Sequence, residues 1–109
     1  MTHPEAHIQR AILLYLQSRG IYAFSVPNEA AGRSKIAQMQ LVTMGLKRGV
    51  ADLVLLHPAG TVTFLEVKAE KGKQSDAQKA FEQRVKEHGL NYYVVRSVEE
   101  VEAILDSSS

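Results

Sequence analysis

Three charged residues sit in sequence that otherwise reads as buried strand: Asp52 in the run Gly49 to Leu56, and Glu66 and Lys68 in the run Thr61 to Lys68. A lone ionised carboxylate is costly to bury, so an acid in such a run calls for a cationic partner, a shifted pKa or a metal ion. Side chains alternate across a strand. Asp52 therefore shares a face with Val50 and Val54, while Glu66 and Lys68 share one with Val62 and Phe64. Two acids and a lysine can then converge. A cation that accepts oxygen ligands would neutralise Asp52 and Glu66 together, with Lys68 pointing into the same site. An ion pair of Lys68 with Glu66 or Asp52 at a strand end satisfies the same residues without any chemistry.

The elements that must position these charges follow from pattern. The two runs flank His57-Pro58-Ala59-Gly60 and read as a β-hairpin. Pro4 suits the first turn of a helix, and Ile8, Ala11, Ile12, Tyr15 and Leu16 recur at helical spacing up to Gly20, about four turns. Glu5 lies in that first turn, where the helix dipole favours an acid. His3 and His7 stand four apart, with His3 at the helix cap. Ile21 to Val26 reads as a short strand stopped by Pro27, with a loop from Asn28 to Arg33. Ser34 can cap a second helix with Ile36, Met39 and Thr43 on one face, closed near Gly45. Gly49 permits a tight turn or the close approach of a ligand.

Beyond the hairpin, Ala69 to Gln74 is a polar loop, and Ser75-Asp76-Ala77-Gln78 matches a capping box. The helix it opens places Ala77, Phe81 and Val85 inward and ends at His88-Gly89. Asn91 to Arg96 is a further strand, and Ser97-Val98-Glu99-Glu100 is a second capping box before a helix with Val101 and Leu105 inward. Ser107 to Ser109 reads as a frayed tail. The order α-β-α-β-β-α-β-α predicts an α/β fold, a central mixed sheet flanked by helices with the hairpin at its centre.

At 109 residues the chain is expected to form one domain, 1–109, burying roughly 60–70% of its unfolded surface. It has no cysteine, which excludes thiolate zinc sites, iron–sulfur clusters and cysteine nucleophiles. No signal peptide or membrane-spanning run is recognisable, so an intracellular protein is expected, in the cytoplasm of its own or a host cell. Thirteen basic and twelve acidic residues leave a net charge of +1. The distribution is uneven: Arg33, Lys35, Lys47 and Arg48 fall in a stretch without acids, whereas Glu99, Glu100, Glu102 and Asp106 fall in one without bases. That asymmetry gives either a positive face for phosphates or an ordinary solvated surface.

An Asp on one strand of a hairpin and Glu-x-Lys on the next, followed by a helix, resembles the core of the PD-(D/E)XK nuclease superfamily. Glu5 in an N-terminal helix, Gly49-Val50-Ala51-Asp52, Phe64-Leu65-Glu66-Val67-Lys68, Ser75-Asp76-Ala77-Gln78 and Tyr93-Val94-Val95-Arg96-Ser97 are similar, in order, to the motifs of its VRR-NUC family. Many members carry proline where this chain has Ala51, and the name-giving stretch here has one arginine.

The resemblance implies a restriction-endonuclease-like core that binds Mg²⁺ or Mn²⁺ through Asp52, Glu66 and the Val67 carbonyl, with Glu5 a further candidate ligand. It implies catalytic roles for Asp52, Glu66, Lys68 and Gln78: Lys68 orienting the attacking water or stabilising the transition state, Gln78 contacting that water or the metal's surroundings. The capping box alone also explains Gln78. Arg33, Lys35, Lys47, Arg48, Lys71 and Lys73 are expected to contact DNA phosphates. The expected activity is hydrolysis of DNA, selective for branched, flap or Holliday-junction forms, by a homodimer resembling junction-resolving enzymes. The alternatives are a non-catalytic nucleic-acid-binding module on the same fold and an interaction domain in which the charges form a buried ion pair.

Overall fold

A computed structural model describes residues 4–27 and 33–107. Its elements, in chain order, are α1 (Pro4–Ser18), β1 (Tyr22–Ser25), α2 (Lys35–Thr43), β2 (Leu53–Leu56), a 3₁₀ turn (Pro58–Gly60), β3 (Val62–Val67), α3 (Asp76–Glu87), β4 (Asn91–Val95) and α4 (Val98–Ser107). The strands lie side by side in the order β1-β2-β3-β4. β1–β2 and β2–β3 are antiparallel and β3–β4 is parallel, with α3 making the crossover a parallel pair requires. The hairpin thus holds the two central strands, as its pattern predicts.

Strand alternation sends successive side chains to opposite faces, and two cores result. On one face Leu53, Leu55, Leu65, Val67 and Val95 pack with Ile12 and Leu16 of α1 and Val101 of α4. Each of these fully buried aliphatic side chains contributes roughly 1.5–3 kcal/mol relative to an exposed one. On the other face Val85 and Phe81 of α3 pack on Phe64, Tyr92 and Val94, with Phe81 edge-on to Phe64 at 5.3 Å and to Tyr92 at 6.2 Å. Glu66 has the parity of Phe64, so it emerges on this second face beside α3.

Several expectations are corrected. Ala11 is exposed, because the α1 stripe runs through Ile8, Ile12, Tyr15 and Leu16 and a single methyl at its margin reaches nothing. β1 is one residue shorter at each end than Ile21 to Val26, although the Val26 N–H still donates to the Asp52 carbonyl at 2.9 Å. The predicted apolar face of α2 is not buried: Ile36 is 72% and Met39 66% exposed, and Thr43 is exposed. The second capping box closes by half. Ser97 Oγ accepts from the Glu100 N–H at 3.2 Å, but Glu100 Oε1 reaches the Arg96 N–H at 2.6 Å instead of that of Ser97. Ser107 belongs to α4, and His3, Asn28 to Gly32 and Ser108 to Ser109 lie outside the described residues. Among the described residues no helix is long and apolar enough to cross a membrane.

Candidate active site

Glu66 is the penultimate residue of β3 and Lys68 follows the strand by one, so their spacing of two puts both on the α3 side. Asp52 immediately precedes β2 instead of lying within it. The β2–β3 register pairs Leu53 with Leu65 and Val54 with Phe64. Continued by one step, it sets Asp52 opposite Glu66. The Asp52 carboxylate is anchored there by the Val67 N–H, which donates to Oδ2 at 2.7 Å. Val67 itself points its side chain into the opposite core.

Glu66 is 1% and Lys68 8% exposed. Lys68 Nζ stands 3.4 Å from Glu66 Oε2, so of the two pairings open in the sequence the structure makes the one with Glu66. Gln78 Nε2 donates to the same oxygen at 2.8 Å. The other oxygen, Oε1, is buried with no hydrogen-bond partner among the described residues. Burial first, and then the neighbouring Asp52 charge, push the Glu66 carboxyl up to about 8; Lys68 opposes them and does not prevail. A purely structural ion pair would leave its acid ionised and its lone pairs satisfied. This one does neither.

Gln78 reaches Glu66 and also makes the capping box that its sequence context offers. Its Oε1 accepts the Ser75 N–H at 2.8 Å and its N–H donates to Ser75 Oγ at 3.2 Å, completing the capping box. Since Ser75 supplies a donor, the amide oxygen must face it, which turns the NH₂ toward Glu66. The first turn of α3 is in turn fixed by Gly49. That residue has φ +78°, and any Cβ built on it would overlap the Ala77 carbonyl and the Gln78 nitrogen. The close approach foreseen for Gly49 is therefore by the protein's own helix.

Glu5 stands apart from the acid pair. Its Oε2 accepts the Ala69 N–H at 3.5 Å, against the loop that follows Lys68, and among the described residues no three His, Asp or Glu side chains gather as a metal-holding group. Arg96 is a residue whose role the sequence did not disclose. Its guanidinium donates to the carbonyls of Ala69 and, at 2.9 and 3.3 Å, of Gly72 and Glu70, so it fastens the same loop from the β4 side. The one available signal was an arginine closing an apolar strand. Behind the site, Gln74 Nε2 bridges Glu82 Oε1 at 3.0 Å and the Tyr92 hydroxyl at 3.1 Å, and burial pushes the Tyr92 phenol up to about 12.

A cavity of about 550 Å³ opens beside these residues, lined by Asp52, Gln78, Lys47 and Arg48 among others. Lys47 and Arg48 are thus brought to the site. Arg33 and Lys35 at the start of α2, and Lys71 and Lys73 in the loop after Lys68, are exposed and lie outside that lining.

The donor set suits a hard divalent cation. Two carboxylates supply oxygen ligands, an unpartnered buried oxygen costs roughly 1–3 kcal/mol, and Mg²⁺ commonly keeps several non-protein oxygens when few acids hold it. In chelator, the raised Glu66 carboxyl has a further consequence for stability. The folded state holds a proton up to about pH 8 that the unfolded chain releases near 4.5. Stability is therefore full below about 4.5 and falls as pH rises through 8. Melting curves between pH 5 and pH 9 are expected to shift downward by roughly 4–8 °C for each kcal/mol lost, and Glu66→Gln is expected to flatten that dependence. An unchanged slope in the variant would reassign the effect.

Comparison with known proteins shows the fold and the family. No curated protein matches the chain. A solved structure described as a VRR_NUC domain is 24% identical, with 96% of this chain and 97% of that one covered at a TM-score of 0.69. A second, described as a VRR_NUC domain protein, is 16% identical, with 98% and 88% covered at a TM-score of 0.76. These likenesses establish the fold, a four-stranded mixed sheet flanked by helices of the restriction-endonuclease-like kind. The family model of the VRR-NUC domain matches residues 4–99, from the first residue of α1 into the first turn of α4, and the chain belongs to that family.

Proposed function

We propose that this chain is a metal-dependent DNA endonuclease that hydrolyses phosphodiester bonds, selective for branched, flap or junction DNA and acting as a homodimer. The observation that carries the reading is Glu66: a buried acid beside a second acid, with one oxygen held by Lys68 and Gln78 and the other unpartnered. Mg²⁺ or Mn²⁺ held by Asp52, Glu66 and the Val67 carbonyl would supply positive charge at the scissile phosphate and acidify an attacking water. Lys68, 3.4 Å from Glu66, would place a cation beside that acid, where it stabilises charge building on the phosphate oxygens. Gln78 keeps the Glu66 carboxylate from rotating. Lys47 and Arg48 grip phosphates at the cavity, and Arg33, Lys35, Lys71 and Lys73 extend that contact outward.

Few side chains here are placed to read bases, so the choice of substrate falls to the shape and deformability of the nucleic acid. Two strands of a junction need two related sites, which one copy of this chain does not contain and a two-fold pair does. Labelled linear, flap and four-way DNA, and their RNA counterparts, incubated with Mg²⁺, Mn²⁺ or chelator, test the proposal. Cutting of branched DNA is expected only with metal. Tight binding without cutting in any metal would instead favour the non-catalytic module.

A further inference from the structure

Gln78 meets Glu66 only where the first turn of α3 is correctly placed, and the capping box ties Gln78 to its own helix, not that helix to the sheet. Gly49 limits the turn by close approach to the Ala77 carbonyl and the Gln78 nitrogen. A second tie comes from Gln74, the half-buried residue just before the Ser75 cap. Its Nε2 donates to the Glu82 carboxylate at 3.0 Å and to the Tyr92 hydroxyl at 3.1 Å. An ionised carboxylate only accepts, so the orientation of the amide is fixed. Both partners are themselves held. Tyr92 is 5% exposed on β4 and meets Phe81 edge-on at 6.2 Å. The β3–β4 register sets Tyr92 opposite Phe64, and sets Val94, two residues on and on the same face, opposite Glu66. Glu82 accepts Lys86 Nζ at 2.7 Å, and that bond first, then the one from Gln74, hold its carboxyl below the usual range. Glu82 also lies four residues after Gln78, on the same face of α3. Gln74 therefore joins the helix face that carries Gln78 to the strand beside Glu66.

We propose that Gln74 is a positioning residue acting through Gln78: by tying α3 to β4 it holds the Gln78 amide on Glu66 Oε2 and so fixes where Oε1 points. The tie is a property of the fold; its consequence for turnover rests on the endonuclease reading above. The loop from Ala69 to Gln74 joins Lys68 to the Ser75 cap and so runs between two parts of the site. Arg96 fastens its first half through the Ala69, Glu70 and Gly72 carbonyls, and Gln74 anchors its last residue. Without that anchor the capping box still forms, because Ser75 and Gln78 bond each other, but the start of α3 can shift against β3. A displacement of about 1 Å at a reacting centre costs on the order of 10²-fold in rate. Binding of DNA through exposed lysines and arginines has no such dependence on precise placement.

Gln74→Ala is expected to slow single-turnover cleavage of saturating branched DNA by about 10–10²-fold, with little change in the affinity measured in Ca²⁺. Gln74→Glu sets a second carboxylate against Glu82 and is expected to be at least as slow. Combining it with Glu82→Gln reverses the polarity of the pair and keeps the net charge of the wild type. The introduced amide then donates to the introduced carboxylate, and so does the Tyr92 hydroxyl, which burial keeps protonated by pushing it up to about 12. Most of the wild-type rate is expected to return. In metal-free protein the side-chain amide resonances of Gln78 report the contact itself. They are expected to move toward those of solvent-exposed glutamines in Gln74→Ala and to return in the swapped pair. Unmoved Gln78 resonances, a loss confined to DNA affinity, or a swapped pair as slow as Gln74→Glu would overturn the proposal. A wild type that cuts no DNA with any metal, while the Gln78 resonances respond as expected, ends the endonuclease reading and upholds the tie. Should Gln74→Ala fail to fold, the same readouts on Gln74→Glu and the swapped pair decide.

Discussion

Lys68→Ala is expected to lower the rate of metal-dependent cleavage by about 10²–10³, the loss typical of removing one preorganised electrostatic group from a reacting centre, while DNA binding changes little. The asymmetry follows from where the lysine sits. At 8% exposure and 3.4 Å from Glu66 it is buried against that acid, whereas the exposed Lys71, Lys73, Lys47 and Arg48 would carry the bulk of any contact with phosphates. Stability in chelator should suffer less than removal of a buried cation usually causes. Glu66 holds a proton at neutral pH and is not left as an unpaired charge when the lysine goes. Single-turnover cleavage of a labelled branched substrate, with binding measured in Ca²⁺, separates the two effects. Undiminished cutting by the variant, or cutting in chelator by either protein, would end the assignment.

The acid–lysine cluster was legible because it depends on local rules. Parity along a strand puts Glu66 and Lys68 on one side, and a short turn between two apolar runs forces an antiparallel register that sets Asp52 opposite Glu66. The capping box of α3 was legible for the same reason. What stayed hidden depends on contacts distant in sequence. Gln78 reaches Glu66 only because α3 crosses back over β3, and its first turn fits only because Gly49 has no side chain. Arg96 meets the Ala69–Gly72 loop only after β4 aligns in parallel beside β3. Helical spacing put Ile36, Met39 and Thr43 on one face of α2, but spacing does not say whether anything covers that face, and the structure leaves it exposed. Which acid Lys68 would choose was likewise beyond the sequence, since both lie on its side of the sheet.

Asp52→Asn is expected to melt in chelator no lower than the wild type, and higher above pH 7, while losing the gain in melting temperature that Mg²⁺ or Mn²⁺ gives. Asparagine keeps an oxygen for the Val67 N–H, whose hydrogen bond to the Asp52 carboxylate helps hold the start of β2 against β3. It removes the charge that, after burial, does most to raise the Glu66 carboxyl. Relief of that repulsion favours the folded state wherever Glu66 begins to ionise, so the benefit grows toward pH 8. Lys68 keeps its partner, because its contact is with Glu66. In the wild type a bound metal at one hundred times its Kd would stabilise by about 2.7 kcal/mol, which at roughly 4–8 °C per kcal/mol is an expected rise of about 10–20 °C. Asp52→Ala supplies the contrast, losing the bond to Val67 as well and about 1–3 kcal/mol of apo stability with it. If the cluster were structural, the asparagine should break a buried charged network and cost about 3–5 kcal/mol, and the wild type should melt at the same temperature with and without metal. That pair of results would remove the physical basis for a metal site, because an acid pair that gains nothing from a divalent cation has no use for the strain it carries.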